Sequence, residues 1–300
     1  MTIRRLRTLV AIADTKTFSA AADVVHVTHA AVSQQMQALE ADLGVSLFDR
    51  GGRTPELTPV ARQIVTKARH LIADYDNLVP SVMEDGGLSG TIRLGTLGTT
   101  LTGLTPQAMA ILKDKFPKIG LHIQPGLTGP LLAELERGNL DAAIITQPHQ
   151  LPVGLTFHEL AREPLELIAA IEEGEMDAIE LLRTRPYIRF NRNAVLGTLI
   201  DNWILSKRLR VAETMELDSP EAIESMVRAN LGVSIVPRLV VPPTDRIAVK
   251  RLPLGPDAPV RIMGLVHRAD QVKTRAVDEV IAALRHVIHA ARSDAGDVMQ

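Results

Sequence analysis

The stretch that decides the architecture is Phe18-Ser19-Ala20-Ala21-Ala22-Asp23-Val24-Val25-His26-Val27-Thr28-His29-Ala30-Ala31-Val32-Ser33-Gln34-Gln35-Met36-Gln37-Ala38-Leu39-Glu40-Ala41-Asp42-Leu43-Gly44. Ser19, behind the apolar Phe18, has the residue types of an N-cap with a hydrophobic staple, and Ala20 to Val25 continue as a short helix. A tight turn through His26 and Val27 leads to a second N-cap, Thr28, and to a helix that runs to about Leu43, where Gly44 stops it. Val32, Met36, Leu39 and Leu43 form one narrow apolar stripe, and the outer face carries His29, Ala30, Ser33, Gln34 and Gln37. Two short helices joined by a tight turn, the second with a small polar outer face, form the helix-turn-helix pattern. Gln pairs with adenine edges, small side chains allow close approach to the major groove, and Ser reaches a base or a phosphate. Thr28, His29, Ala30, Ser33, Gln34 and Gln37 are therefore the candidate groove contacts.

On the N-terminal side, Leu6, Leu9, Val10 and Ala13 recur at helical spacing and predict a first helix over residues 3–14. On the other side, Leu47-Phe48-Asp49-Arg50-Gly51-Gly52-Arg53 places two arginines about a glycine turn. It fits a wing whose Arg50 and Arg53 touch the DNA backbone, and it also fits an ordinary solvated hairpin. Thr58-Pro59 opens another helix, along which Ala61, Ile64, Ala68, Leu71, Tyr75, Leu78 and Val82 alternate steps of three and four. This heptad seam either packs on its own domain or pairs with a second copy, and its regularity on an otherwise polar helix favours pairing. Ile64, Ala68, Leu71, Tyr75 and Leu78 are then the dimer contacts, and Gly86-Gly87 a joint behind them.

From Gly90 the texture changes to alternating strands and helices: 91–96, 106–116, 121–124, 129–137 and 141–146 read as βαβαβ, hence a mostly parallel sheet. A second such series follows through 165–170, 187–190, 197–205, 211–217, 219–228 and 233–236, and a strand at 262–266 and a helix over 273–291 return to the first lobe. The expected fold is multi-domain. A winged helix-turn-helix domain occupies residues 1–58, a linker and dimerisation helix with its hinge 59–89, and a two-lobed α/β, periplasmic-binding-protein-like effector domain 90–300. Lobe I is expected at about 90–160 and 266–293, lobe II at about 161–265.

The net charge of −2 looks wrong for a nucleic-acid binder until it is divided: residues 1–70 carry +3 and the remainder −5, as expected if only the first segment meets phosphates. With no cysteine, disulfides and thiolate metal sites are unavailable, and the cytoplasm is the expected compartment. Arg4, Arg5 and Arg7 before Leu9 to Ala13 faintly imitate a signal peptide, but Asp14 and Lys16 interrupt the apolar run. No segment approaches the roughly 18–20 apolar residues of a membrane span.

Taken in order, Leu6-Arg7-Thr8-Leu9-Val10-Ala11-Ile12-Ala13, Phe18-Ser19-Ala20-Ala21-Ala22, Val27-Thr28, Leu39-Glu40, Leu43-Gly44-Val45, Leu47-Phe48-Asp49-Arg50 and Leu57-Thr58 resemble the N-terminal motif of the LysR-type transcriptional regulators. Thr91-Ile92-Arg93-Leu94-Gly95, Gly138-Asn139-Leu140-Asp141-Ala142-Ala143-Ile144 and Gly232-Val233-Ser234-Ile235-Val236-Pro237 resemble recurring segments of that family's effector half. The resemblance implies a homodimer assembling to a homotetramer on double-stranded operator DNA, an effector that alters tetramer shape and DNA bend, and contact with RNA polymerase if the chain activates. Family members often carry Gln-Pro where this chain has His29-Ala30, and Arg where it has Gln34, so the operator sequence does not carry over. With Gln34 in place of a cation, more of the phosphate contact falls to Arg50 and Arg53.

Thr96-Leu97-Gly98-Thr99-Thr100 ends the first strand of the α/β half just before a helix, and Thr128-Gly129 holds the equivalent place after the second. Hydroxyls and backbone N–H groups at the carboxyl ends of parallel strands suit a carboxylate, so Thr99, Thr100, Thr128 and Gly129 are candidate effector contacts; as plain caps they would do less. The resemblance agrees, since family effector pockets use the positions matching Thr99 and Thr128. Phe190-Asn191-Arg192 forms the opposite wall or a surface loop. The effector is read as a small organic acid, with no cofactor. No nucleophile motif, phosphate loop or dinucleotide fingerprint is present, and the histidine pairs His26/His29 and His286/His289 lack further ligands, so no catalytic or metal residues are assigned. A solute-binding protein would leave residues 1–85 unexplained, and an α/β enzyme would lack a catalytic constellation.

Overall fold

A computed structural model describes residues 1–49, 56–76, 78, 90–245, 247–270 and 274–297. The chain divides into two compact units, Met1–Gly87 with Glu136–Asn139, and Leu88–Leu135 with Leu140–Gln300.

In the first unit, α1 (Ile3–Thr15), α2 (Phe18–Val24), α3 (His29–Leu43) and α4 (Pro59–Asp76) close around Leu9, Ile12, Val32, Met36, Leu39 and Leu47. The cap of α2 is Thr17, not Ser19. Thr17 is extended and its Oγ accepts the Ala20 N–H at 3.2 Å, which makes Phe18 the first helical residue rather than a staple before the cap. The Phe18 ring then meets Phe48 edge-on at 5.1 Å and His29 at 6.0 Å. Thr28 caps α3 as expected, accepting Ala31 N–H at 3.2 Å, and Gly44 ends it at φ 68, a left-handed conformation that costs glycine nothing. Strands β1 (Phe48–Asp49) and β2 (Glu56–Leu57) pair antiparallel as the base of a wing. Arg50 and Arg53 lie outside the described residues, as do Val82 and Gly86-Gly87.

The second unit is built on one long sheet in the order β10 (Lys250–Pro253), β6 (Leu155–Ala169), β11 (Val260–Arg268), β5 (Ala142–Thr146), β3 (Gly90–Thr96), β4 (Ile119–Pro125), with β9 (Ser234–Pro237) also on β6. Its lobe I half holds β3 (Gly90–Thr96), β4 (Ile119–Pro125) and β5 (Ala142–Thr146), all parallel, and β11 (Val260–Arg268) antiparallel to β5. Helices α5 (Leu104–Lys115) and α10 (Thr274–Asp297) belong to the core with Leu94, Ile144 and Leu265; α6 (Thr128–Glu136) belongs to a separate cluster with Ala143, Ile145 and Val266. Strand β6 (Leu155–Ala169) pairs with β11 up to Pro164, then with β9 (Ser234–Pro237) and β10 (Lys250–Pro253) from Leu165 on. It therefore crosses from one lobe to the other between Pro164 and Leu165, later than the expected 160/161. The return comes earlier than 266, because β11 lies in the lobe I sheet from Val260.

Lobe II is completed by β7 (Pro186–Phe190) parallel to β8 (Ala212–Leu217), with α7 (Ala178–Thr184), α8 (Val195–Ser206) and α9 (Pro220–Arg228) around Leu167, Tyr187, Ile188, Trp203 and Ile235. Helix α7, capped by Asp177 onto Glu180 N–H at 2.8 Å, and strand β10 have no counterpart in the sequence reading. Among the described residues no helix is long and apolar enough to cross a membrane.

Candidate DNA interface and effector site

Helix α3 buries Val32, Met36 and Leu39 and turns Thr28, His29, Ala30, Gln34 and Gln37 outward, with Ser33 half-buried beside them. The six predicted groove contacts thus share one face. Gln35, on the flank, is spent inside the unit, where its Oε1 accepts the Thr8 hydroxyl at 2.6 Å and ties α3 to α1. Glu40, which the sequence reading gave no role, accepts Leu47 N–H at 2.7 Å and so fixes where the chain enters the wing.

The seam on α4 splits in two. Ala61 and Ala68 are buried with Val65 in the unit's own core and Ile64 is half-buried against it, whereas Leu71, Tyr75 and Leu78 remain 47%, 54% and 61% exposed. Beside them runs an apolar groove of about 590 Å³ lined by Leu6, Leu43, Val60, Ile64, Ala68 and Leu71 among others. The inward-packing reading therefore holds for Ala61, Ile64 and Ala68, which removes Ala68 from the expected dimer contacts because its side chain is buried in its own unit, and a neighbouring stripe stays uncovered.

In the second unit the carboxyl ends of β3, β4 and β5 lie side by side, with β3 in the middle, and the two helices that follow β3 and β4 belong to different core clusters. That is the switch point at which parallel sheets open a crevice. A 3-10 turn at Gly98–Thr100 follows β3, and α6 begins at Thr128 after β4. Thr128 is buried and its hydroxyl donates to the carbonyl of Thr146 at 3.4 Å, so it ties α6 to the end of β5; Gly129 is exposed at the first turn. The two threonines of the turn differ. Thr100 closes a buried triangle of hydroxyls with Thr96 at 2.7 Å and Thr105 at 2.9 Å, while Thr99 accepts a hydrogen bond from Arg261 Nη1 at 2.9 Å.

Arg261 and Glu163 are the residues that sequence reasoning missed. They are direct cross-strand neighbours on β11 and β6, 1% and 2% exposed, and form an ion pair in which Arg261 Nε donates to Glu163 Oε2 at 2.7 Å and Nη2 donates to the same oxygen. The other carboxylate oxygen accepts the N–H of Val240 at 2.9 Å. A charged pair this deep is held by satisfied geometry on every side rather than by Coulomb attraction alone. Thr102 of the same turn donates to Glu221 Oε1 in the first turn of α9 at 3.0 Å, a contact from lobe I to lobe II. Phe190 packs in the lobe II core, and Asn191 is held in a turn, accepting Asn193 N–H on its side chain at 2.8 Å. Among the described residues no group of three or more His, Cys, Asp or Glu could hold a metal ion.

The family model described as "LysR substrate binding domain" matches residues 85–288, and the one described as "Bacterial regulatory helix-turn-helix protein, lysR family" matches residues 3–62. The chain belongs to the LysR family. It is a DNA-binding transcriptional regulator of the LysR type with an effector-binding domain. Among its relatives, the "Probable RuBisCO transcriptional regulator" of Synechocystis sp. is 32% identical over 78% of this chain and 71% of that protein. The "DNA-binding transcriptional dual regulator OxyR" of Escherichia coli is 27% identical over 95% of each chain. A structure of full-length OxyR from Pseudomonas aeruginosa shares the fold of this LysR-family chain with a TM-score of 0.73, at 24% identity and 95% coverage of each chain.

Proposed function

We propose that this LysR-type regulator reads its operator through Thr28, His29, Ala30, Ser33, Gln34 and Gln37, with Arg50 and Arg53 on the phosphates, and that a small organic acid acts as its effector at Thr99 and Thr128. The observation that carries the first part is the outward face of α3: capped at Thr28, polar, small and uncovered. Bidentate contact of a glutamine with adenine gives such a face sequence preference. The protein pairs through the uncovered stripe of α4, where Leu71, Tyr75 and Leu78 continue from Ile64, and two such dimers form a tetramer on paired half-sites. It acts in the cytoplasm as a regulator and not as an enzyme, and as an activator it would meet RNA polymerase.

The effector reading is supported by Thr99 and Thr128 at the ends of adjacent parallel strands, next to the crossing between the lobes. The absence of cysteine from the sequence leaves no thiol to oxidise, which favours a bound ligand as the signal. The test is a DNA-binding titration in which small organic acids are ranked by their effect on the operator complex. Thr99→Ala is expected to weaken the response to the best acid markedly. A variant that titrates like the parent removes the site from Thr99.

A further inference from the structure

We propose that Arg261, held by Glu163, fixes the polarity of the Thr99 hydroxyl, so that the turn at 98–100 selects the acceptor end of a ligand, an anionic oxygen, and rejects a donor. This rests on the reading of Thr99 as an effector contact and adds the residue that sets its specificity.

A threonine hydroxyl ordinarily adapts, since it has one proton to give and two lone pairs to offer, and it turns toward whatever arrives. Thr99 is not free to do so. A guanidinium has donors only, so in the 2.9 Å contact with Arg261 Nη1 the Thr99 oxygen must be the acceptor. The hydroxyl proton then points away from Arg261, and among the described residues the Thr99 hydroxyl donates no hydrogen bond. Donation by a charged partner polarises the O–H bond and strengthens what the hydroxyl can give in turn. A ligand ammonium would have to compete for the remaining lone pair beside a cation.

Glu163 makes this arrangement permanent. It takes both Arg261 Nε and Nη2, which holds the guanidinium plane, and its second oxygen is committed to Val240 N–H. The pair is charge-neutral and almost completely buried. The ligand therefore meets an oriented hydroxyl rather than a free positive charge, and selection comes from hydrogen-bond direction.

The test uses two small probes, acetate as an acceptor only and ethylammonium as a donor only, titrated into full-length protein carrying methyl-labelled threonine. The Thr99 resonance is assigned by its loss in Thr99→Val. Acetate is expected to shift it saturably, and ethylammonium at least about tenfold more weakly, the size of a lost charge-assisted hydrogen bond. In the double variant R261M/E163M, which removes both charges and leaves neither uncompensated, the preference should fall to within about threefold. If that variant does not fold, Thr99→Val, nearly isosteric, serves as the second measurement: it should abolish the acetate response seen at the neighbouring Thr100 and Thr102 methyls. Equal shifts by both probes in the parent protein, a preference that survives in a folded double variant, or an acetate response that survives in Thr99→Val would overturn the inference. Silence from both probes would instead remove the ligand site from this turn, and the inference with it.

Discussion

Leu71→Ala tests whether the uncovered stripe of α4 is a self-pairing surface. Complete burial of a leucine side chain stabilises by about 1.5–3 kcal/mol, and with 47% of Leu71 still exposed roughly half of that remains available, about 0.7–1.5 kcal/mol per copy. A two-fold contact uses the residue twice, so the dimer should lose about 1.5–3 kcal/mol, or about 10–100-fold in its dissociation constant. Sedimentation equilibrium over a concentration series reads this directly. The half of Leu71 already covered within its own unit is too small a loss to unfold it, so the circular dichroism of the variant monomer should match that of the parent. An unchanged dissociation constant would exclude the stripe as a self-pairing surface, and a loss of helicity would show that Leu71 is needed for the unit's own fold.

Gln34→Ala should lower affinity for the specific operator by about 1–3 kcal/mol and leave non-specific binding nearly unchanged, as competition titrations would show. Glu163→Gln leaves Arg261 buried without its counter-charge and should cost about 3–5 kcal/mol in urea denaturation, whereas R261M/E163M should be close to neutral; equal losses would contradict the ion-pair account. His158 gives a pH dependence. Burial, first, then His267 and Arg285, hold its imidazole below its usual 6.5, against an opposing pull from Asp278. The unfolded chain then takes up the proton before the folded one, so this contribution to stability is complete above 6.5 and is lost as the pH falls from there toward the folded value. His158→Gln should flatten that part of the profile as the pH falls below 6.5, and an unchanged slope would exclude His158 as its source.

Local chemistry made the helix-turn-helix legible. The Thr28 cap and the Gly44 stop are decided by residues within four positions, and both stand where the spacing placed them. The Ser19 cap failed on the same local scale, because Thr17 offers an equivalent hydroxyl two residues earlier and the extended backbone there lets it reach Ala20. The α4 seam was visible as a period but not as a direction: periodicity cannot say which stripe a neighbouring helix covers, and Ala61 and Ala68 went inward while Leu71 and Tyr75 did not. Only the part of strand β6 from Leu165 on is legible in the sequence, and its partners and burial pattern change at Pro164/Leu165. The Arg261–Glu163 pair was invisible for a plainer reason. Its members are 98 residues apart, and a charged residue in a strand reads as solvent-facing until a neighbouring strand brings its counter-charge.

Sequence-specific recognition through the face of α3 is checked by fluorescence anisotropy of labelled duplexes from upstream of the protein's own gene and its neighbours. The titrations are run at physiological salt with excess competitor DNA. One such duplex should be retained in a salt-sensitive way that survives the competitor and is lost in Gln34→Ala. Equal affinity for all duplexes, parent and variant alike, would contradict it.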